Sequence, residues 1–302
     1  MTVEIHLLGQ TERMAGNNPY GLDRLPLYHQ MRTLEALKQS PLVMNTYNTG
    51  TGKTVASLLY LFELEGNRND NVLFIAPTNE LLHQHYTDVK AFVEKHDLPF
   101  LVLEANAKLL RELREPDVAD RQGERLTRLI ADPRAFFDKL GISPGESRKP
   151  VILVTNPDLF YYAFYWRFAG ADQRNLFEDF VTKFRYIIID EFHYYNSKQL
   201  ANFLFFIVLS KEWGYFDKGG RKMCLLSATP TNSTRTYLDR ALGTDGWRLI
   251  SPQNEPVEAE GLPSIPVLAP TTLRIITEKM EDFAKNRRRP SGNGSIKVCM
   301  EP

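Results

Sequence analysis

The sequence has little cysteine, no net charge and no long apolar run, and each absence excludes a class of protein. Its two cysteines, Cys224 and Cys299, offer neither a disulfide framework nor zinc-ligand spacing, which is typical of a reducing compartment. Lys plus Arg and Asp plus Glu number 37 each, so bulk charge gives no indication of a nucleic-acid partner. No apolar run is long enough to span a bilayer, and no basic leader precedes the short apolar N-terminal segment. We therefore expect a cytoplasmic protein without a membrane partner.

The order of apolar segments predicts an α/β fold. Near-continuous apolar runs alternate with helical patterns, which indicates a mainly parallel sheet covered by helices on both faces. The predicted strands are 42–44, 72–76, 100–103, 151–154, 186–189 and 223–226. Such sheets bind ligands at the carboxyl ends of their strands, where the polar motifs of this sequence fall.

Composition divides the chain into two unequal parts. We expect one main α/β domain over 1–248, interrupted at about 104–149 by a charged helical insertion. Prolines punctuate a polar stretch from 249 to 302, which predicts an extended connector. The arginines of the insertion belong either to a solvated face or to a nucleic-acid contact. The aromatic segment 160–168 is either a packed helix or a base-stacking surface.

A glycine-bearing turn follows the first of these strands and opens a helix near Val55. The turn carries the candidate phosphate-binding residues Thr49, Gly50, Thr51, Gly52, Lys53 and Thr54. Its backbone N–H groups would surround an anion, while Lys53 reaches the β- and γ-phosphates of ATP and the Thr54 hydroxyl holds Mg²⁺. The general pattern G-x-x-x-x-G-K-[ST] has glycine where this chain has Tyr47. The alternative is a chance glycine-rich turn before an ordinary helix.

Two carboxylates follow the strand 186–189, and they complete a candidate site for ATP hydrolysis. Asp190 is the candidate Mg²⁺ residue, and Glu191 is the candidate base that orients and deprotonates a water for attack on the γ-phosphorus. An Asp-Glu pair at a strand end is a weak indication of such a site by itself but a strong one when a Gly-Lys-Thr loop lies upstream. Gln30, upstream of the loop, could bond an adenine through its carboxamide, or be an exposed helical glutamine.

Four segments together resemble superfamily 2 helicases of the Asp-Glu-x-His type. The segments 47–54, 77–81, 190–193 and 227–229 occur in the order of motifs I, Ia, II and III, and the resemblance covers about residues 20–245. It implies a RecA-like ATPase domain that uses ATP and Mg²⁺ and tracks single-stranded nucleic acid. Gln30 matches the upstream glutamine that binds adenine in many members, and the segment 155–157 lies where motif Ib is expected.

The resemblance also assigns roles to residues outside the phosphate loop. Pro77, Thr78 and Thr155, with Asn156 beside it, are expected to contact the phosphate backbone of the nucleic acid, and hydroxyls at strand ends suit phosphates without selecting a base. The residues expected to couple nucleotide state to strand binding are His193, Ser227, Ala228 and Thr229. The alternative for each hydroxyl residue is a plain cap or turn.

A narrower resemblance is to the CRISPR-associated helicase of type I systems, with the stand-alone form of type I-D the nearest. The loop wording, the Asp-Glu-Phe-His segment and the charged insertion carry it. It implies single-stranded DNA, a CRISPR RNA-guided effector complex and a separate nuclease subunit as partners, since no His-Asp nuclease pair precedes Gln30. The alternatives are an RNA helicase of the same class and a non-hydrolysing docking subunit.

The arginine-bearing motifs of a second RecA-like domain do not occur after Ser227 in these 302 residues. We expect 249–302 to be a connector and the start of that missing domain. An arginine finger contributes about 10³–10⁵ in rate, so the isolated chain is expected to bind ATP but to hydrolyse it slowly.

Overall fold

The computed structural model describes residues 2–113, 136–143, 146–160, 183–192, 197–217, 220–228, 232–276 and 298–301, with the single positions 125, 128 and 129. Its strands are β1 (Thr2–Leu7), β2 (Gln10–Arg13), β3 (Leu42–Asn45), β4 (Asn71–Ile75), β5 (Leu101–Glu104), β6 (Val151–Thr155), β7 (Phe184–Ile189), β8 (Lys222–Leu226), β9 (Trp247–Ile250), β10 (Ser264–Leu268), β11 (Thr271–Ile276) and β12 (Val298–Glu301). Its α-helices are α1 (Tyr28–Gln39), α2 (Lys53–Leu58), α3 (Asn79–Lys95), α4 (Ala107–Glu112), α5 (Phe137–Leu140), α6 (Ser197–Glu212) and α7 (Asn232–Leu242).

Seven of the strands form one sheet in the order β5-β6-β4-β7-β8-β3-β9, and every pairing in it is parallel. Because strand side chains alternate between faces, each central strand contributes to two apolar cores. Leu34, Leu58 and Val89 bring α1, α2 and α3 to one face. Phe206 and Leu238 bring α6 and α7 to the other. The predicted parallel sheet with helices on both faces, a RecA-like fold, is confirmed.

The predicted elements agree with the structure to within a few residues, except after the glycine-bearing turn. The helix expected to open near Val55 begins earlier, as α2 at Lys53, and ends at Leu58, after which a 3₁₀ segment occupies Leu59–Glu63. Thr78 caps α3 as expected, because its hydroxyl oxygen accepts a hydrogen bond from the Leu81 N–H at 3.3 Å.

The C-terminal part is more ordered than the extended connector expected from 249. The boundary at 248 falls inside β9, which pairs with β3 and therefore belongs to the main sheet. Further along, β10 pairs antiparallel with β2, and β11 pairs antiparallel with β1. The N-terminal strands, which the sequence analysis did not identify, thus hold the segment after β9 against the domain.

Several sequence expectations fall largely or wholly outside the described residues. They are the body of the 104–149 insertion, most of the aromatic segment 160–168 and much of the end of the 249–302 connector. At the start of the insertion, α4 confirms the expected helical character. No helix of the described ranges combines the length and apolarity that crossing a lipid bilayer requires.

Candidate nucleotide-binding site

The carboxyl ends of β3 and β7 bring the glycine-bearing turn and the two carboxylates together. Only β8 separates these strands in the sheet, so residues 136 positions apart in the chain lie in contact. The Thr54 hydroxyl donates a hydrogen bond of 3.1 Å to Oδ2 of Asp190. Asp190 is buried, and its Oδ1 accepts a hydrogen bond of 2.7 Å from the Glu191 N–H.

The turn owes its shape to two glycines in the left-handed region. Gly50 has φ +84° and Gly52 has φ +77°, values that other residues adopt only with strain. An added Cβ at position 52 would lie 2.6 Å from Nε2 of Gln30, so the Gln30 carboxamide would have to move. Thr51 is buried, and its hydroxyl donates a 2.8 Å hydrogen bond to the Asn48 carbonyl inside the turn. Thr49 and Gly50 are exposed at the tip.

Lys53 begins α2 and is 4% exposed, with its ammonium group inside the site. Nζ lies 3.9 Å from Oε1 of Glu191 and has no hydrogen-bond partner among the described residues. Burial lowers the pKa of Lys53 from its ordinary value, while the Glu191 and Asp190 carboxylates oppose this shift. A buried ammonium without a hydrogen bond is costly, so the position of Lys53 suits a ligand that offers the acceptor which the described residues do not supply.

Glu191 adopts a backbone conformation that is rare for its type. Its φ is +46°, in the left-handed region, which costs a non-glycine residue about 1–2 kcal/mol. The hydrogen bond from its own N–H to the preceding Asp190 side chain accompanies this turn. Local strain of this kind concentrates at functional sites, where the surrounding structure holds a side chain in one direction. Here the direction is toward Lys53.

Gln30 lies at the nucleotide loop, and the protein uses both ends of its carboxamide. Its Oε1 accepts a 2.8 Å hydrogen bond from the Leu27 N–H, and its Nε2 donates a 3.1 Å bond to the Gly52 carbonyl. Gln30 is buried rather than an exposed helical glutamine. The contacts shown connect the start of α1 to the loop.

Tyr47, at the place of the glycine in the general loop pattern, points away from the turn into the protein. It is 1% exposed, and its hydroxyl bonds the Glu255 carboxylate, which also forms an ion pair with Arg13. Burial and the Glu255 carboxylate raise the pKa of Tyr47 well above its ordinary value. The phenol ring stacks on His29, with ring centroids 4.2 Å apart. Tyr47 therefore connects the segment after β9 to the base of the loop.

His29 continues this connection into the turn. The Thr51 carbonyl, 2.9 Å from Nε2, can only accept, so Nε2 is the protonated nitrogen. Nδ1 then accepts from the side-chain amide nitrogen of Asn45 at 3.2 Å, and Oδ1 of Asn45 accepts from the Tyr47 N–H at 3.0 Å. Burial lowers the pKa of His29 to about 4, so the ring is neutral at pH 7.

These residues fit a nucleotide triphosphate with magnesium. Lys53 supplies a buried cation that has no hydrogen-bond partner among the described residues, the turn supplies left-handed glycines whose N–H groups can face an anion, and Thr54 and Asp190 supply two hard oxygen ligands. Magnesium commonly takes one or two protein oxygens and completes its shell with water and phosphate oxygens. The described residues contain no cluster of three or more His, Cys, Asp or Glu side chains that could hold a metal, and a site of this type needs none.

The residues expected to contact nucleic acid gather at the carboxyl ends of β4 and β6. Pro77 is buried and Thr78 caps α3, so both lie at the start of that helix. Thr155 is buried, and its hydroxyl donates to the Ala105 carbonyl at 3.1 Å, which matches the alternative of a plain structural role. Asn156 bonds the Asn79 side chain and accepts from the Leu159 N–H at 2.8 Å.

The residues expected to couple the two sites are described only in part. Ser227 follows β8, is fully buried, and its N–H donates to the Asn45 carbonyl at 3.0 Å. Its hydroxyl has no hydrogen-bond partner within the part of the chain that the structure describes. Ala228 is half-buried beside it. His193 and Thr229 lie outside the described residues.

Two features of the site were missed by sequence reasoning. One is the connection of Tyr47 to His29 and Glu255, because neither His29 nor Glu255 belongs to a motif. The other is His85, which lies 3.5 Å from Asp190 through Nε2. The sequence did contain an indication of this contact. Leu82, His85 and Val89 have the spacing of the buried face of α3, and an imidazole on an otherwise apolar face suggests a specific role.

Comparison with known proteins places this site in a family. Residues 28–237, which include the loop, both carboxylates and Ser227, match the model of the DEAD/DEAH box helicase family. Over 125 residues the chain is 33% identical to DEAD-box ATP-dependent RNA helicase 26 of Oryza sativa subsp. japonica. The matched segment covers 40% of this chain and 22% of that relative.

Solved structures share the fold at low sequence identity. The crystal structure of the DUF1998 helicase MrfA bound to DNA superposes with a TM-score of 0.51 at 15% identity, over 83% of this chain and 32% of that one. The complex of MrfA with DNA and AMPPNP gives 0.51 at 17% identity, over 85% and 32%. The chain thus spans about a third of the MrfA structures and less of the rice relative.

Proposed function

The chain belongs to the DEAD/DEAH box helicase family of superfamily 2, and from that premise we propose that it is the ATP-binding motor domain of an enzyme that moves along single-stranded DNA. The observation that carries the proposal is the buried Lys53 ammonium, which has no hydrogen-bond partner among the described residues and lies 3.9 Å from the Glu191 carboxylate. This arrangement suits a triphosphate whose γ-phosphoryl group is attacked by water.

In the proposed reaction each residue has one task. Lys53 binds the β- and γ-phosphates, and the N–H groups of the turn hold their oxygens. A magnesium ion held by Thr54 and Asp190 would neutralise charge that develops on the phosphates. Glu191 orients a water and takes its proton. Of the two carboxylates at the site, Asp190 accepts the Thr54 hydroxyl, whereas the Glu191 carboxylate lies beside Lys53.

We propose further that full turnover needs a second RecA-like domain with an arginine that reaches the γ-phosphate. The residues that follow β9 support this proposal, because Glu255 and Arg32 hold that segment against the nucleotide loop and α1. A domain attached beyond this segment would be positioned relative to the site. The isolated chain would then bind ATP and hydrolyse it slowly.

For the biological setting we propose type I-D CRISPR interference, in which the motor acts on DNA opened by an RNA-guided complex and a separate subunit cuts it. The motif wording of the loop and of the Asp-Glu-Phe-His segment, with the charged insertion, supports this setting. The strand ends that carry Pro77, Thr78 and Asn156 would lie along the phosphate backbone without selecting bases.

A second candidate is an RNA helicase, and the 33% identity to a DEAD-box RNA helicase over 125 residues favours it. ATP hydrolysis measured with single-stranded DNA or RNA of the same sequence separates the two, using the chain joined to its second motor domain. Stimulation by DNA alone supports the proposal, and stimulation by RNA alone replaces it with the second candidate.

A docking subunit that never hydrolyses ATP is separated by Lys53→Ala in an interference assay. Interference should be lost in this variant if the chain is a motor. Interference that persists at the level of the unchanged protein would contradict the motor function.

A further inference from the structure

His85 contacts the proposed magnesium residue from inside α3, yet no motif and no step described above uses it. Its Nε2 lies 3.5 Å from Oδ2 of Asp190, and the residue is 8% exposed. The imidazole packs on the Phe74 ring at a centroid distance of 5.2 Å, which fixes its plane against β4. His85 is therefore held in place next to the carboxylate.

The two oxygens of Asp190 have different surroundings. Oδ1 accepts the Glu191 N–H at 2.7 Å, whereas Oδ2 accepts the Thr54 hydroxyl at 3.1 Å and faces His85. Thr54 is the other proposed magnesium residue, so its hydroxyl oxygen would offer a lone pair to the metal while its O–H still donates a hydrogen bond to Oδ2 of Asp190. A second hydrogen-bond donor at Oδ2 would keep the Asp190 carboxylate in one orientation when the metal binds.

We infer that His85 is a positioning residue, whose Nε2–H donates to Oδ2 of Asp190 and thereby orients that carboxylate for magnesium. This inference rests on the proposed function, because it concerns the same nucleotide site. The 3.5 Å separation is long for an N–H···O bond, and hydrogen bonds of catalytic groups are often long until the reacting groups are bound. Donors that orient ligating carboxylates commonly affect metal affinity.

The other ring nitrogen argues against a packing role alone. Nδ1 of His85 is buried and has no hydrogen-bond partner in the described ranges. An unpaired buried polar atom costs about 1–3 kcal/mol, which an apolar side chain of similar size would not incur. The presence of an imidazole at this buried position is thus explained by the hydrogen bond that its Nε2–H donates to Asp190.

The test compares the magnesium dependence of nucleotide binding in the unchanged chain, in His85→Leu and in His85→Gln. A fluorescent ATP analogue is titrated at a series of Mg²⁺ concentrations and also in EDTA. In His85→Leu the Mg²⁺ concentration for half-maximal binding should rise about 10-fold, because loss of a group that orients a metal ligand costs 10- to 100-fold in affinity. Affinity in EDTA should stay within about twofold, because the phosphate contacts of Lys53 and the turn are unchanged.

His85→Gln should restore the magnesium dependence to within about threefold, since the glutamine amide places an N–H donor near the position of Nε2. His83→Gln is the matched control, because His83 lies on the exposed face of the same helix against Glu104 and should not change the titration. The ¹⁵N spectrum of the histidines in the unchanged chain gives a second readout, in which His85 should carry a proton on Nε2.

Three results would overturn the inference. They are an unaltered magnesium dependence in a folded His85→Leu variant, a His85→Gln variant as impaired as His85→Leu, and a spectrum in which Nε2 of His85 carries no proton. An unchanged chain that binds no nucleotide at any Mg²⁺ concentration would instead overturn the proposed function and the inference with it.

Discussion

The Thr54 hydroxyl donates a 3.1 Å hydrogen bond to the Asp190 carboxylate, and this contact joins the turn after β3 to the turn after β7. Parallel strands place their carboxyl ends on one edge of a sheet, so the contact follows from the topology. It puts two oxygen ligands beside a lysine whose ammonium lacks a protein hydrogen bond among the described residues. The proposed ATPase function depends on this grouping.

Removal of the Lys53 ammonium should weaken nucleotide binding without destabilising the fold. Lys53→Met should lower the affinity for ATP by about 100-fold, because charge-assisted hydrogen bonds contribute about 1.5–3 kcal/mol each and 1.4 kcal/mol is a factor of ten. The free energy of unfolding should stay equal or rise, since burial disfavours the Lys53 ammonium by more than Glu191 and Asp190 stabilise it, as the lowered pKa of Lys53 indicates.

Equilibrium binding and urea unfolding of Lys53→Met measure both effects, with Lys90→Met on the exposed face of α3 as control. Binding that is lost only together with folding would contradict the assignment of Lys53.

Glu191→Gln should separate ATP binding from hydrolysis. The amide keeps the shape of the side chain but cannot take a proton, and a general base contributes about 10²–10⁴ in rate. We expect ATP affinity within about threefold of the unchanged chain and a single-turnover rate lower by at least about 100-fold. A rate within a few-fold of the unchanged chain would assign the base to another group.

Tyr47→Gly should destabilise the protein even though it restores the glycine of the general loop pattern. The tyrosine is 1% exposed, and truncation of a large buried aromatic residue costs about 3–5 kcal/mol. Tyr47→Phe keeps the stacking on His29 and removes only the hydroxyl bond to Glu255, so it should cost about 1.5–3 kcal/mol.

Urea unfolding of both Tyr47 variants gives these values. A Tyr47→Gly variant as stable as the unchanged chain would mean that Tyr47 does not hold the segment after β9 against the loop.

His29 should make the protein less stable as the pH falls from about 6.5 toward 4. Burial lowers its pKa to about 4, and nearby Lys53 and Arg32 also disfavour its charged form. Between these two pH values the unfolded chain binds a proton that the folded chain does not, so stability is complete above about 6.5 and is lost on acidification. The loss should approach about 3 kcal/mol.

Unfolding free energies of the unchanged chain and His29→Gln over this range test the assignment. The difference between them should change by that amount across the range, while His83→Gln should follow the unchanged chain. Parallel profiles for the unchanged chain and His29→Gln would show that the ring is not held neutral.

The parallel sheet could be predicted because its strands contain fully buried apolar runs, such as residues 72–75 in β4 and 186–189 in β7. The turn and the carboxylates could be predicted because their chemistry is local in sequence. By contrast, β1 was not predicted, although its apolar residues Val3, Ile5 and Leu7 alternate with polar ones in the pattern of a strand. Its partner β11 lies at the other end of the chain, and no local signal specifies that pairing.

The environment of the site could not be predicted for the same reason. His85 reaches Asp190 only because α3 packs on β4, the neighbour of β7. Glu255 reaches Tyr47 only because β9 joins the sheet beside β3. Contacts of this kind depend on tertiary packing, which a spacing of residue types does not encode.

The most direct test of the central claim is a crystal structure of the chain with Mg²⁺ and a non-hydrolysable ATP analogue. We expect Lys53 Nζ within hydrogen-bond distance of the β- and γ-phosphate oxygens, and magnesium beside Thr54 and Asp190. A nucleotide bound elsewhere, with Lys53 still facing Glu191 alone, would contradict the account.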